Sequence, residues 1–375
     1  MNVIIAALDL AIHLRTRKVD CEASLQMTGD VGSHAMVEAA MAKQAFVSEL
    51  EAKHLHPLWD RYQRITPMKP QAPDTPFIWR WRDIEPMLHR SVGEVSINDI
   101  ERRALIMAHP AFGSETTTTS TLLAAFTVLD PGERARPHRH TGAAIRFATR
   151  AEGAVTIVDG RRCEMKPGDL ILTPPMVWHG HINEADHRII WFDAANMPLI
   201  RALDAHFFEP GDPRNNQFWQ VDQGDETLWT EAGLRAEGAS ASSAHSPKYR
   251  YPGEATRQLI AAAPPAPDGM RVVRYVNPAT GGAVMPTLDC YAARLDKGTT
   301  TRRRRATYNV VCLVVAGEGR STIGEETFEW SQHDVFTIPH WTWARHEARG
   351  GDADLFVVTD RSAFERLDLV REEME

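Results

Sequence analysis

Residues 130–140 read DPGERARPHRH and residues 174–183 read PPMVWHGHIN, and these two stretches decide the fold. The first places His138 and His140 two residues apart, and side chains at i and i+2 of a β-strand point to the same face. Both imidazoles can therefore bind one metal ion. His179, from the second stretch, completes a set of three ligands that leaves coordination positions open. We predict a divalent metal ion on these three histidines.

The sequence around these stretches has the pattern of a β protein. Short apolar runs separated by turn residues are typical of strands in a barrel or sandwich. The runs cover residues 122–129, 143–147, 154–158, 169–173 and 188–193. Upstream, residues 33–63 have apolar side chains near a 3.6-residue period, which predicts a helix that packs against the barrel or forms oligomers.

The chain contains an internal repeat, in which matched positions are separated by a nearly constant offset. Matched positions are Asp130–Gly132 with Asp296–Gly298, Pro174 with Pro339, Trp178 with Trp343, and His181 with His346. The three candidate ligands correspond to Arg304, Ala306 and Ala344. We therefore predict two barrels, of which the second holds no metal.

The repeat leads to a predicted division into five segments. These are an extension of unknown role (1–33), a helical arm and lead-in (34–115), a metal-binding barrel (116–210), a linker (211–268) and a metal-free barrel (269–375). The linker includes the small, polar stretch ASASSAHS at residues 239–246.

Composition excludes several classes of protein. The formal net charge is −8, which argues against a nucleic-acid-binding surface. Residues 1–10 are apolar but lack a basic region before them and a cleavage site after them, and no apolar stretch approaches membrane-spanning length. We expect a cytoplasmic protein that binds neither nucleic acid nor membrane. Its four cysteines form no CxxC pair, so we expect reduced thiols.

The spacing of the two stretches resembles the two motifs of the cupin superfamily. Gly132 precedes His138 by five intervening residues, and Gly168 precedes Pro174 in the same way, with His179 following. There are two departures from the family pattern. Ala144 and Ile145 occupy the positions where an acidic ligand is expected, and Met176 stands where glycine is usual.

A narrower resemblance is carried by residues 138–147, 178–181, 191–193 and 198–199, together with Trp79-Arg80-Trp81. These are similar to the gentisate 1,2-dioxygenase group of bicupins, over roughly residues 45 to 365. The resemblance implies a mainly β bicupin with an N-terminal helical arm, one Fe(II) per chain and a homotetramer. It also implies cleavage of a 2-hydroxybenzoate by O2 between the carboxylate- and hydroxyl-bearing carbons. Gentisate and a 5-substituted salicylate such as 5-nitrosalicylate both remain candidate substrates.

The absent acidic ligand fits this chemistry. Three neutral imidazoles leave the full charge of a divalent metal, which suits a dianionic chelating substrate. Arg146 lies six residues after His140, so strand alternation places it on the ligand side, where it can bind the substrate carboxylate. The alternative is an exterior salt bridge. Arg80, carried over from the family, is a second carboxylate candidate, and its alternative is a cation–π contact that holds the arm.

Other candidates surround the predicted metal. His181 shares the parity of His179 and can hydrogen-bond the substrate hydroxyl, and Asp193 can orient His181 or a ligand histidine. Alternation also places three residues of one strand toward the substrate, and Met176 can narrow the entrance. The three strand residues are Leu123, Ala125 and Thr127.

Two other functions remain open from the sequence. Three histidines and a water molecule are also a zinc arrangement, so a zinc-dependent cupin isomerase or hydrolase is an alternative. A non-enzymatic bicupin that binds a small molecule is the second alternative.

Overall fold

The computed structural model describes residues 30–212, 216–220 and 244–375, with side chains from residue 36 onward. Most of the predicted extension (1–33), including Cys21, lies outside the described residues. So does most of the polar stretch in the predicted linker. Among the described residues, no helix is long and apolar enough to cross a membrane.

The described residues up to Met68 form a unit of their own. Its main element is helix α1 (Asp30–Ala52), followed by the short helix α2 (Tyr62–Ile65). The predicted helix is therefore present but ends earlier, where His54 adopts a left-handed φ of 58°. A left-handed residue stops the helical hydrogen-bond ladder. Several large apolar side chains of this unit, among them Met41 and Phe46, are exposed.

The second unit, Lys69–Glu375, begins with a lead-in to the first barrel. The lead-in contains strand β1 (Ile78–Trp79) and helix α3 (Trp81–Glu94). Trp81 begins the helix and is buried, with its ring centroid 5.0 Å from that of Phe126.

The first barrel consists of a six-stranded and a five-stranded sheet. The six-stranded sheet contains β2 (Ala104–Ile106), β3 (Leu123–Leu129), β5 (Ala144–Arg150), β8 (Leu170–Thr173), β10 (Ile189–Ala195) and β12 (Arg250–Tyr251). The five-stranded sheet contains β4 (Arg134–His140), β6 (Ala154–Val158), β7 (Arg161–Glu164), β9 (His179–Asn183) and β11 (Phe208–Pro210). Helix α4 (Met197–Ala202) follows β10, and α5 (Gly253–Ala262) follows β12. The five predicted strands match β3, β5, β6, β8 and β10 closely.

The second barrel is a nine-stranded sheet that includes β1. Its other strands are β13 (Arg271–Arg274), β14 (Asp289–Leu295), β15 (Arg304–Ala306), β16 (Val310–Ile323), β17 (Glu326–Ser331), β18 (Val335–Ile338), β19 (Ala344–Thr359) and β20 (Glu372–Met374), with helix α6 (Arg361–Arg366). The long strands β16 and β19 pair along most of their lengths, with register shifts where they bend. The bicupin fold predicted from the sequence is confirmed.

The barrels exchange their lead-in strands. β1 precedes the first barrel but pairs with β18 of the second, and β12 precedes the second barrel but pairs with β8 of the first. Ile78 lies opposite Phe336, and Arg250 lies opposite Ile171, which is the residue that matches Phe336 in the repeat. The two exchanged strands therefore occupy equivalent positions. Each barrel is completed by a strand from the segment that leads into the other barrel.

The core is continuous between the barrels. Phe147 of the first barrel stacks on Phe356 of the second, with ring centroids 4.2 Å apart. Asp360 accepts a hydrogen bond from Thr121 Oγ1 at 2.5 Å, which adds a buried polar contact across the same junction. Cys290 and Cys312 are buried free thiols, as expected, and Cys163 is also buried.

Candidate metal centre

Three histidines meet where two strands of the first barrel lie side by side. His138 and His140 are at the end of β4, and His179 begins β9, directly opposite His138. All three are buried, and their ligand atoms lie within 4.8 Å of one another. Among the described residues no other group of three or more possible ligands converges in this way. The metal cluster predicted from the sequence is thus assembled by a cross-strand pair.

The hydrogen bonds of two of the three rings, those of His140 and His179, fit a metal ion. The Nδ1 atom of His140 lies 2.7 Å from the Gly142 carbonyl oxygen, and that of His179 lies 2.9 Å from the Val177 carbonyl oxygen. Since a carbonyl only accepts, each Nδ1 carries the proton and each Nε2 keeps its lone pair. The buried Nε2 of His179 has no hydrogen-bond partner among the described residues. A buried, unpartnered lone pair directed at two other imidazoles is what a divalent cation requires.

The electrostatics keep the imidazoles neutral. Burial lowers the pKa of His140 to about 4, and burial together with nearby arginines also lowers the pKa of His138 and of His179. A neutral imidazole is the form that binds a metal, so the site does not need to release protons to do so.

Arg102 is a site residue that the sequence reasoning missed. Its Nη2 lies 3.1 Å from His138 Nε2, and its Nη1 donates to the carbonyls of Glu101 and Arg136. Burial and the neighbouring Arg146 lower the pKa of Arg102 to about 9. Arg102 precedes a short strand whose sequence has no periodic pattern. The adjacent Arg103 forms a salt bridge with Glu133 instead. No local signal distinguishes the two arginines.

Arg146 lies in the site, but not for the predicted reason. The alternation argument assumed one strand from His140 to Arg146, whereas these residues belong to β4 and β5, in different sheets. Arg146 is instead placed by its cross-strand partner Asp193, with Nε 3.4 Å from Asp193 Oδ1, and by Thr173, whose Oγ1 accepts from Nη1 at 2.8 Å. The predicted alternative, an exterior salt bridge, is wrong because Arg146 is buried.

Asp193 orients an arginine rather than a histidine. Its Oδ2 accepts from Thr127 Oγ1 at 2.5 Å, and its Oδ1 faces Arg146. Burial raises the pKa of Asp193, and Arg146 opposes this rise by stabilising the carboxylate. The expected contact with His181 is replaced by Thr156, whose Oγ1 lies 2.9 Å from His181 Nδ1. The buried Nε2 of His181 has no partner among the described residues.

Arg80 is committed to the second barrel. Its guanidinium contacts the Glu329 carbonyl and lies 3.2 Å from Asp334 Oδ2, while the Trp81 amide donates to Asp334 Oδ1. The same arrangement recurs in the first barrel, where Asp169 accepts from Arg250 and from the amide of Gly253. Arg80 therefore anchors an exchanged lead-in strand, and neither the predicted substrate contact nor the cation–π alternative describes this contact.

The predicted lining residues lie beside this cluster. Ala125 is directly opposite Asp193, so the two side chains share the face that carries Arg146. Thr127 is two residues on, and Leu123 two residues before, on the same face. Met176 is partly exposed, with a left-handed φ of 60°, and its amide donates to the His140 carbonyl at 2.7 Å.

Phe208 is a second residue that the sequence reasoning missed. It lies opposite His140 on β11, and its ring centroid is 4.9 Å from that of His138. The surrounding sequence lacks a regular pattern, so a sequence-based strand assignment was not available there.

The second barrel preserves the register of the site but not its chemistry. Arg304 lies opposite Ala344 as His138 lies opposite His179. The Arg146–Asp193 pair corresponds to Cys312 opposite Val357, and Ala125 to Tyr291. His346 bonds Ser321 through Nδ1, as His181 bonds Thr156. Duplication therefore kept the framework and lost the metal ligands.

Comparison with known proteins identifies relatives over nearly the whole chain. Residues 125–194 match the model of the cupin domain. The chain is 32% identical to gentisate 1,2 dioxygenase 1 of Aquipseudomonas alcaligenes, over 88% of this chain and 96% of that protein. It is 34% identical to 5-aminosalicylate 1,2-dioxygenase of a Comamonas species, over 88% and 92%.

Solved structures give the same result. The salicylate 1,2-dioxygenase of Pseudoaminobacter salicylatoxidans, in its adduct with gentisate, superposes with a TM-score of 0.83 at 31% identity. The match covers 96% of this chain and 99% of that one.

Proposed function

This chain belongs to the gentisate and salicylate 1,2-dioxygenase group of bicupin ring-cleaving dioxygenases, and on that premise we propose that it is Fe(II)-dependent and acts on a 2-hydroxybenzoate. Both atoms of O2 enter the product as the bond between the carboxylate- and hydroxyl-bearing carbons breaks. The product is an open-chain unsaturated oxo acid. His138, His140 and His179 hold the iron, one per chain, which supplies the oxygen-activating chemistry when bound.

Arg102 and Arg146 bind the substrate carboxylate in this proposal. Both guanidinium groups act electrostatically on the imidazoles, while Asp193 pairs with Arg146 and Glu101 acts on Arg102. With neutral imidazoles, a bound divalent metal therefore leaves the pocket with a net positive charge. A 2-hydroxybenzoate that binds through its carboxylate and its deprotonated hydroxyl brings two negative charges, which such a pocket stabilises.

His181 handles the proton of the substrate hydroxyl. Thr156 fixes its ring through Nδ1, and the opposite ring atom, Nε2, is buried without a partner among the described residues. Burial holds the pKa of His181 well below its ordinary value, so the imidazole is neutral and its Nε2 can accept a hydrogen bond from the substrate hydroxyl.

The aromatic ring packs against the face of β3. Leu123, Ala125 and Thr127 provide an apolar surface with one hydroxyl, and that hydroxyl already bonds Asp193. This surface suits the edge of a planar ring. We propose gentisate or a 5-substituted salicylate such as 5-nitrosalicylate as substrate, in keeping with relatives named for gentisate and 5-aminosalicylate.

The observation that carries the proposal is the convergence of three neutral imidazoles with two arginines and one carboxylate. Oxygen uptake by iron-reconstituted protein tests it, with gentisate, salicylate, 5-nitrosalicylate, 5-chlorosalicylate and 1-hydroxy-2-naphthoate as substrates. We expect turnover of at least one, with one equivalent of iron per chain after anaerobic purification. Stoichiometric zinc together with oxygen-independent turnover would overturn it.

We further propose that the protein assembles as a homotetramer through its helical arm. Met36, Val37, Met41 and Phe46 on α1 are exposed and lie on more than one side of the helix, so α1 offers apolar surface to neighbouring subunits. Sedimentation analysis tests this, and the variant Met41→Glu with Phe46→Glu is expected to yield smaller species. An unchanged wild-type mass in that variant would remove α1 from the interface.

A further inference from the structure

The second barrel is hollow at the place that corresponds to the metal centre. Its lumen contains a cavity of about 350 Å³. Ala344, Cys312, Val357 and Tyr291 line it, and these are the positions that match His179, Arg146, Asp193 and Ala125 of the first barrel. The cavity is therefore the counterpart of the active site, with different chemistry. Its size lies within the range of about 300–1,000 Å³ that is typical of small-molecule sites.

Loss of the metal ligands did not close this space. Ala306 and Ala344 stand where imidazoles stand in the first barrel, and the larger residues Arg304 and Tyr291, which replace His138 and Ala125, leave the cavity open. Protein interiors are close-packed, and an unfilled cavity costs stability. A barrel retained only as a scaffold is expected to fill its lumen with larger apolar side chains. The persistence of the cavity therefore points to a ligand.

The lining is divided into an apolar body and a polar end. Val310, Cys312, Leu355 and Val357 contribute apolar walls. At the other end, Arg304, Tyr308 and Arg361 converge on one carboxylate, that of Glu372. A few convergent polar groups on an apolar cavity are the usual composition of a site for a small amphiphilic molecule.

Glu372 shows which chemical group this polar end accepts. Tyr308 Oη donates to Glu372 Oε1, while Arg304 Nη2 and Arg361 Nε lie 3.5 and 3.6 Å from the same oxygen. The buried Nε of Arg361 has no hydrogen-bond partner among the described residues. Both ion pairs are thus longer than a good charge-assisted hydrogen bond. The Glu372 side chain is also 41% exposed, so it can leave toward solvent.

We propose that the lumen of the second barrel is a binding site for a small aromatic monocarboxylic acid. The ligand's carboxylate replaces that of Glu372 on Tyr308, Arg304 and Arg361, and its ring fills the apolar body. Because Asp268 and Glu365 already pair with the same arginines, exchange of one carboxylate for another keeps the local charge balanced. The site thus takes a monoanion, whereas the metal-containing barrel is suited to a dianion.

Equilibrium dialysis of the metal-loaded full chain with radiolabelled benzoate tests the proposal. Benzoate lacks the ortho hydroxyl that the first site needs. We expect one bound equivalent that persists in His138→Ala, is lost in Ala344→Phe, and is weakened about tenfold in Arg361→Met, as loss of one charge-assisted hydrogen bond implies. Tyr308→Phe, which changes a single hydroxyl, serves if Ala344→Phe does not fold.

A gain of affinity provides the decisive comparison. Glu372→Gln removes the competing carboxylate, so benzoate is expected to bind several-fold more tightly, whereas a merely structural Glu372 would leave binding unchanged or weaken it. Exposed Glu326→Gln is the matched control and leaves affinity unchanged. Absence of benzoate binding at millimolar concentration, loss of binding in His138→Ala, or unchanged or weaker binding in Glu372→Gln would each overturn the proposal.

Discussion

Arg146 and Asp193 face each other across β5 and β10, and the corresponding residues of the second barrel are Cys312 and Val357. An ion pair in one barrel thus replaces an apolar pair in the other, at the same cross-strand position. Burying two charges carries a desolvation cost that an apolar pair avoids, so a buried ion pair is weakly explained by stability alone. The Arg146–Asp193 ion pair therefore distinguishes the barrel with the metal cluster from the barrel with the cavity.

Substitution Arg146→Met is expected to weaken substrate binding while the metal is retained. Hydrogen bonds to charged groups contribute about 1.5–3 kcal/mol, so KM should rise by roughly ten- to a hundredfold. Oxygen-uptake kinetics and metal analysis measure the two effects separately. Arg150→Met, an exposed position on the same strand, is the control and should change neither. Loss of metal with an unchanged KM would show that Arg146 is structural.

Arg102 and Arg80 offer a direct test of which second arginine contacts substrate. Arg102→Met should raise KM by about the same factor as Arg146→Met, because it removes an equivalent charge-assisted contact. Arg80→Met should leave KM unchanged and lower the thermal midpoint, because Arg80 anchors β1 to Asp334. The reverse pattern, with KM raised only in Arg80→Met, would restore the assignment made from the sequence.

His138→Ala should abolish both metal binding and turnover. The cluster consists of three imidazoles, so removal of His138 leaves only two ligands, and these lie on separate strands. Metal content after dialysis and oxygen uptake are the measurements. His187→Ala changes an exposed histidine outside the cluster and should retain full metal content. A His138→Ala protein that keeps stoichiometric metal would contradict the three-histidine site.

Asp360 is predicted to make stability depend on pH. Burial raises its pKa to about 6, above the ordinary value of 3.8. Between these two values the folded state holds a proton that the unfolded state has released, so stability falls as pH rises through this window. Two pKa units correspond to about 3 kcal/mol.

Asp360→Asn removes this dependence. The difference in thermal midpoint, variant minus wild type, should be more positive at about pH 7.5 than at about pH 4. Asp186→Asn, at an exposed carboxylate, controls for surface charge. If the difference in thermal midpoint between variant and wild type does not change with pH, Asp360 does not titrate in this range.

Met176→Gly is expected to stabilise the fold by up to about 1 kcal/mol, since a non-glycine residue at a left-handed φ is strained. Trp341, its counterpart in the second barrel, has the same conformation, with φ at 57°. Met87→Gly, at an exposed position inside helix α3, should instead destabilise by about 1 kcal/mol. Urea midpoints compare the two, and destabilisation by both variants would show that Met176 contributes packing that outweighs its strain.

Much of the fold was predictable because its signals are local. Short apolar runs separated by turn residues predicted β3, β5, β6, β8 and β10 closely. The nearly constant offset between matched positions predicted the duplication, since turns and ligand positions recur in register. The exchange of β1 and β12 between barrels was not predictable, because such short strands have no periodicity and pair with strands that are distant along the chain.

The sequence by itself determined the three histidines and the loss of their counterparts, because H-x-H spacing and the repeat are properties of short, aligned stretches. Only the tertiary structure decided which arginines accompany them. The chain changes sheets between His140 and Ala144, so alternation cannot be followed from one strand to the next. Arg102 lies in the site and Arg80 does not. The position of each long side chain is set by contacts between strands that are distant in sequence, and not by its neighbours along the chain.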